Sequence, residues 1–119
     1  MVKVVAGAGD AAANAVTLVG RLTALPEERT MPSGDVFVSF RISVPRAMTP
    51  LSRHSKQTTD WVDCVAAGAR CRRTVLHWTV GDVVEVGGVL RRRFLRGDGA
   101  SSTRLEVEAL HVRKAAAGA

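Results

Sequence analysis

Four arginines crowd one short stretch of this chain: Arg91, Arg92, Arg93 and Arg96, just ahead of Gly97-Asp98-Gly99. A guanidinium is planar, permanently charged and carries its donors in a rigid fork, which suits it to phosphate oxygens. Further cations, Arg46, Arg53 and Lys56, gather in the polar segment from Arg46 to Gln57, and Arg41 stands a little upstream. Lys and Arg number 17 against 11 Asp and Glu, a formal charge of +6. A polyanion is the natural partner of such an excess. Other chemistry finds little footing. His54, His77 and His111 have no carboxylate or nucleophile at a telling spacing, and no P-loop or GxGxxG occurs. Asp60 and Asp63 read as structural strand residues rather than a metal pair. Cys64 and Cys71 lack the spacing of zinc ligands. Neither an enzyme nor a metal or cofactor site is expected.

The elements that must carry these cations are mostly strands. From Asp35 to Val44, Val36, Val38, Phe40, Ile42 and Val44 alternate with Phe37, Ser39, Arg41 and Ser43, a period of two over ten residues. An earlier strand runs through Val16, Leu18 and Leu22 and bends at Gly20. Pro26 and Met31-Pro32-Ser33-Gly34-Asp35 mark a connection and a turn. Pro45 closes the second strand, and 46–57 is a loop. Thr58 to Ala67 is a third strand, in which Trp61, Asp63, Val65 and Ala67 share one face; phase alone does not say whether that face is inside. Ala69 to Thr79 carries the one helical pattern, Cys71, Val75 and Trp78, closed by Gly81. Val83 to Phe94 is a fourth strand, bent at Gly87-Gly88. Gly97-Asp98-Gly99 is a hairpin turn, and Thr103 to Val112 a fifth strand.

Three segments in this order and spacing carry a resemblance. They are Asn14-Ala15-Val16-Thr17-Leu18-Val19-Gly20-Arg21-Leu22, Thr58-Thr59-Asp60-Trp61-Val62-Asp63-Cys64-Val65-Ala66-Ala67-Gly68 and Gly81-Asp82-Val83-Val84-Glu85-Val86-Gly87-Gly88-Val89-Leu90. Together they resemble the bacterial single-stranded DNA-binding protein (SSB) family, from about Asn14 to Lys114. The resemblance implies a mainly all-β fold, a five-stranded OB-fold Greek-key barrel with one helix between strands three and four. It implies 14–114 as the nucleic-acid-binding domain; residues 1–13, small and Ala/Gly-rich, read as a flexible arm, and the small, featureless 115–119 as a short disordered tail. The family's full-length members end in an acidic tip. This sequence ends Lys114-Ala115-Ala116-Ala117-Gly118-Ala119, and is expected to be either truncated or a tail-less member.

What the family does is then the expectation: sequence-independent binding of single-stranded DNA in replication, recombination or repair, through a basic groove and base stacking. The expected site joins Arg41, Arg46, Arg53, Lys56, Arg91, Arg92, Arg93 and Arg96 to flat or polarisable side chains. In the family the aromatic at the place of Trp61 faces the nucleic acid, whereas Trp78 matches a core position. The family's aromatic after strand two is replaced here by Met48, and its aromatic near the end of strand three by Ala67. Its aromatic far along strand four falls on Leu95, with Phe94 one residue early, so a bulge near the hairpin tip is needed to bring Phe94 to that face. Aromatics are only 4% of the chain. That scarcity favours an alternative: a primosome-like accessory module acting mainly as a protein-interaction adaptor. RNA is a further possible ligand, since it shows the same phosphates. The expected setting is cytoplasmic and nucleoid-associated. The expected assembly is a homodimer or homotetramer joined at the open edge of strand one, with replication or recombination proteins as possible partners.

Overall fold

The computed structural model of the chain describes residues 12–96 and 101–115. In chain order the elements are β1 (Val16–Leu22), β2 (Glu27–Thr30), β3 (Val36–Pro45), β4 (Thr59–Ala66), α1 (Ala69–Leu76), β5 (Val83–Arg96) and β6 (Ser101–Lys114). The sheet order is β1-β5-β6-β4-β3-β2, and β1 also pairs with β3 at Arg21 and Leu22. That last pairing closes β1, β5, β6, β4 and β3 into a barrel. The β4–β6 pair is parallel, Cys64 opposite Val107, and the other pairs are antiparallel. This is the OB-fold, with the helix between the third and fourth barrel strands as expected.

Alternation builds the interior. Val38, Phe40 and Ile42 of β3 point inward to meet Cys64 and Ala66 of β4, Val84 and Val86 of β5, and Val107 and Ala109 of β6. Helix α1 plugs the barrel's end with Cys71 and Val75, and Trp78 follows it into the core. Trp78 is 3% exposed and meets Phe40 edge to face, ring centroids 5.7 Å apart. That is a favourable aromatic geometry.

Beyond shifts of one or two residues at the ends of β4, β5 and β6, three features differ from the sequence reading. Glu27–Thr30, read as connection, is a short strand paired with β3 from Val36 to Ser39. Every residue of it is exposed, so no apolar alternation announces it. The helix stops at Leu76 rather than Thr79, and Gly81, at φ +95°, belongs to the turn beyond it. There Asp82 receives the Thr79 N–H at 2.8 Å. Pro45 lies inside β3, opposite Thr59, as its final residue.

Strands β5 and β6 form a long hairpin that projects past the barrel, paired from Val84↔Lys114 to Arg96↔Ser101. The ladder shifts register between Gly87 and Gly88, so Gly87 faces His111 and Gly88 faces Ala109. Leu110 is the extra residue of that bulge. A Cβ on Gly88 would lie 1.9 Å from the Glu108 carbonyl oxygen, so only glycine fits. The expected turn at 97–99, residues 1–11 of the expected arm and residues 116–119 of the expected tail lie outside the described residues.

Candidate functional site

The outer face of β3, β4 and β6 meets the projecting hairpin in a groove. One half, about 610 Å³, is lined by Phe37, Val65, Ala67, Arg72, Arg91, Arg93, Phe94 and Glu106 among others. The other half, about 510 Å³, runs past Arg29, Ser39, Arg41, Asp63 and Arg104. Arg93 and Glu106 line both halves, so they stand where the two meet.

Each strand contributes by simple alternation. On β4, inward Val62, Cys64 and Ala66 leave Trp61, Asp63 and Val65 outside. Trp61 is 63% exposed. Its ring carries the Arg41 guanidinium at 4.2 Å, and Arg41 in turn donates from Nε to Asp63 Oδ1 at 2.9 Å. The cation therefore packs on the ring and leaves most of the indole in solvent. On the hairpin, Arg91 meets Glu108 at 2.5 Å and Arg93 approaches Glu106 at 3.6 Å. Arg92 points to the ribbon's other face, where its Nη1 donates to Thr103 Oγ1 at 2.8 Å.

Phe94 shares the phase of Arg92, because no register shift lies between Gly88 and Arg96. The tip bulge that would have turned it to the face of Arg93 is absent along this stretch. The ring still borders the groove and is 75% exposed. The backbone of Arg96 ends β5, and its side chain lies outside the described residues.

The 46–58 loop is compact. Its Thr49–Ser52 turn is closed by backbone bonds and by Ser52 Oγ donating to the Ala47 carbonyl at 2.6 Å. Arg46 anchors its base, donating from Nη2 and Nε to the two oxygens of Asp60 at 2.6 and 3.1 Å. That bidentate hydrogen bond holds the Asp60 carboxyl below its ordinary value and raises the Arg46 guanidinium. Met48, Arg53 and Lys56 are all exposed on this loop. Neither Arg53 nor Lys56 has an ion-pair partner among the described residues.

Four groove arginines, Arg29, Arg41, Arg91 and Arg93, are thus each matched by a carboxylate. The groove's surplus positive charge comes from Arg72, Arg92 and Arg104. Arg72 and Arg104 were not singled out from sequence. Arg72 reaches the groove from α1, where its Nε donates to the Ala67 carbonyl at 3.0 Å. Arg104 stands opposite Arg93 in the ladder. The signal for Arg104 was its phase, even-numbered with Glu106 and Glu108 on β6; a helical arginine facing a sheet leaves no such signal. Phe37 was also missed, though its phase set it with Ser39 and Arg41 on one face of its strand.

A row of guanidinium groups beside an exposed indole can neutralise phosphates and stack flat rings. Similarity to known proteins points the same way. The Single-strand binding protein family matches residues 13–115. Single-stranded DNA-binding protein 1 of Staphylococcus aureus is 34% identical over 80 residues, 67% of this chain and 47% of that protein. The Single-stranded DNA-binding protein of Mycobacterium tuberculosis is 36% identical over 102 residues, 78% of this chain and 58% of its own length. The chain thus spans about half the length of the curated relatives it matches. Among solved structures, the Plasmodium falciparum SSB complex with ssDNA superposes with a TM-score of 0.72 at 18% identity. It covers 88% of this chain and 96% of the other, a likeness of fold.

Proposed function

The chain belongs to the single-strand binding protein family, and from that premise we propose that it binds single-stranded DNA without sequence preference, in replication, recombination or repair. Residues 14–114 are the binding unit, and the chain acts as a binder rather than a catalyst. The observation that carries the reading is the outer-face groove, which sets arginines from β3, β5, β6 and α1 beside an indole left 63% exposed. Phosphate contacts from Arg41, Arg72, Arg91, Arg92, Arg93 and Arg104 supply affinity. Trp61 supplies a stacking surface that any base fits. Arg53 and Lys56 extend the charged path along the loop, with Met48 as an apolar contact, and Phe94 stacks at the hairpin end. Arg46 serves the path by fixing the loop's base.

The working form is a homodimer or a homotetramer. Val16 to Gly20 of β1 pairs with β5 on one edge only, since its pairing with β3 begins at Arg21, and an open edge invites a second strand. Replication or recombination proteins are its further partners. The cytoplasmic nucleoid is its place of action; among the described residues no helix is long and apolar enough to cross a membrane.

Fluorescence anisotropy of labelled oligo-dT, oligo-U and a duplex of the same length tests the function. Oligo-dT bound at least tenfold more tightly than duplex is the expected result. Equal affinity for duplex and single strand would refute base stacking as the basis of binding. Tighter binding of oligo-U would assign the groove to RNA.

A further inference from the structure

Phe37 faces outward on β3, in phase with Ser39 and Arg41, yet only 8% of it meets solvent. The barrel interior does not bury it, for Phe37 is not part of the core cluster. Arg29 flanks it across the β2–β3 ladder, and a second cation lies over its face. The Arg93 guanidinium lies 5.0 Å from the ring centroid, within the ~6 Å reach of a cation–π contact. The other partner of Arg93 is Glu106, at 3.6 Å, too far for a good hydrogen bond. Arg93 is thus held over the ring by two weak contacts.

We propose that Phe37 is a base-stacking platform, closed in the free protein by Arg93 and opened when a strand phosphate draws that arginine away. The proposal rests on the single-strand-binding reading above. A phosphate offers Arg93 a bidentate, charge-assisted partner, stronger than a ring face or a distant carboxylate. Glu106, 4% exposed in its side chain, would be left without a cation. Arg91 is its direct cross-strand neighbour and keeps a positive charge close to it. Once uncovered, the Phe37 ring opens onto the 610 Å³ half of the groove, beside Val65 and Ala67 and within the cationic rim of Arg72 and Arg91. The strand path then has a ring at each end of the sheet's outer face, Trp61 opposite Ser43 on β3 and Phe37 near the strand's start. Arg93 becomes a residue of two positions, and a phosphodiester is what moves it from one to the other.

The test compares Phe37→Leu with the unaltered chain on two ligands, oligo-dT and an abasic oligomer of the same length. Leucine keeps an apolar side chain in place but offers no π face. The expected result is a 5- to 150-fold loss for oligo-dT, roughly the range of one stacked base, with abasic binding unchanged. A second measurement needs no variant: a 5-iododeoxyuridine oligomer is photocross-linked to the unaltered chain and the product mapped by mass spectrometry. A cross-link at Phe37 is expected. Unchanged oligo-dT affinity in Phe37→Leu, equal loss on both ligands, or cross-links that reach Trp61 but not Phe37 would each overturn the proposal. Failure of the unaltered chain to bind oligo-dT at all would instead overturn the functional reading on which it rests.

Discussion

Replacing Trp61 with alanine separates a binding role from a structural one. Trp61 is 63% exposed, so somewhat over a third of it is covered. If a buried Trp hides up to ~250 Å², that share is about 90 Å², or roughly 2 kcal/mol at ~25 cal/mol per Å² as an upper bound. The lost contact with Arg41 is part of that covered surface, and Arg41 keeps its bond to Asp63. Trp61→Ala should therefore lower stability by about 1–2 kcal/mol, against ~3–5 for Trp78→Ala, which empties a core position. Binding should show the reverse order. Trp61→Ala should cost ~1–3 kcal/mol of oligo-dT affinity, the worth of one stacked base. Urea midpoints and oligo-dT titrations on both variants decide it, and intrinsic fluorescence adds a check. Oligo-dT should quench Trp61 and leave the Trp78 signal unchanged. A Trp61→Ala protein that is stable and binds as tightly as its parent would remove Trp61 from the site.

Other consequences are equally open to measurement. Gly88→Ala must push its Cβ against the Glu108 carbonyl, so urea unfolding should show a loss of about 3 kcal/mol or more. Burial pushes the Cys64 thiol up to about 12 from an ordinary 9.0. A raised folded value means stability that is complete below 9.0 and drains away as pH climbs toward 12, at up to ~1.4 kcal/mol per pH unit. Urea midpoints taken between pH 8 and about 11 should fall more steeply for the unaltered chain than for Cys64→Ala; parallel curves would exclude the thiol as the source. Light scattering at ~100 µM, well above micromolar interface affinities, should give at least a dimer mass, and a monomer would show that the free edge of β1 is not a joining surface.

Much of the fold is written in strand alternation. The ten-residue period from Asp35 to Val44 locates β3 and its inward face, and the Gly87-Gly88 pair marks the place where the ladder between β5 and β6 shifts register. β2 escaped because an exposed edge strand needs no apolar face: Glu27, Glu28, Arg29 and Thr30 are held by the ladder to β3 and by Arg29 Nε donating to Ser39 Oγ. The site was legible as a charge cluster but not as a circuit. Arg41 with Asp63, Arg46 with Asp60 and Arg91 with Glu108 are partners 14 to 22 residues apart, brought together by register that composition does not encode. The same holds for Phe37, whose period-two position is outward. One of the groups that cover it is Arg93, a residue from another strand far along the chain. Phe94 shows the converse. Its phase depends on whether a bulge lies between Gly88 and Arg96, and the regular ladder there decides it.

The central claim is that single-stranded DNA lies in the groove along β5 and is held there by its phosphates. The direct measurement is the salt dependence of oligo-dT affinity for the unaltered chain and for the Arg91→Gln, Arg93→Gln double variant. Glutamine keeps a polar neighbour for Glu108 and Glu106 while removing the charge. Each phosphate contact contributes a log–log slope of roughly −0.7 on a single strand. The account predicts a steep slope for the unaltered chain and one shallower by about 1.4 for the double variant, two contacts at that value. Identical slopes for the two proteins would place the strand elsewhere on the barrel and contradict the account.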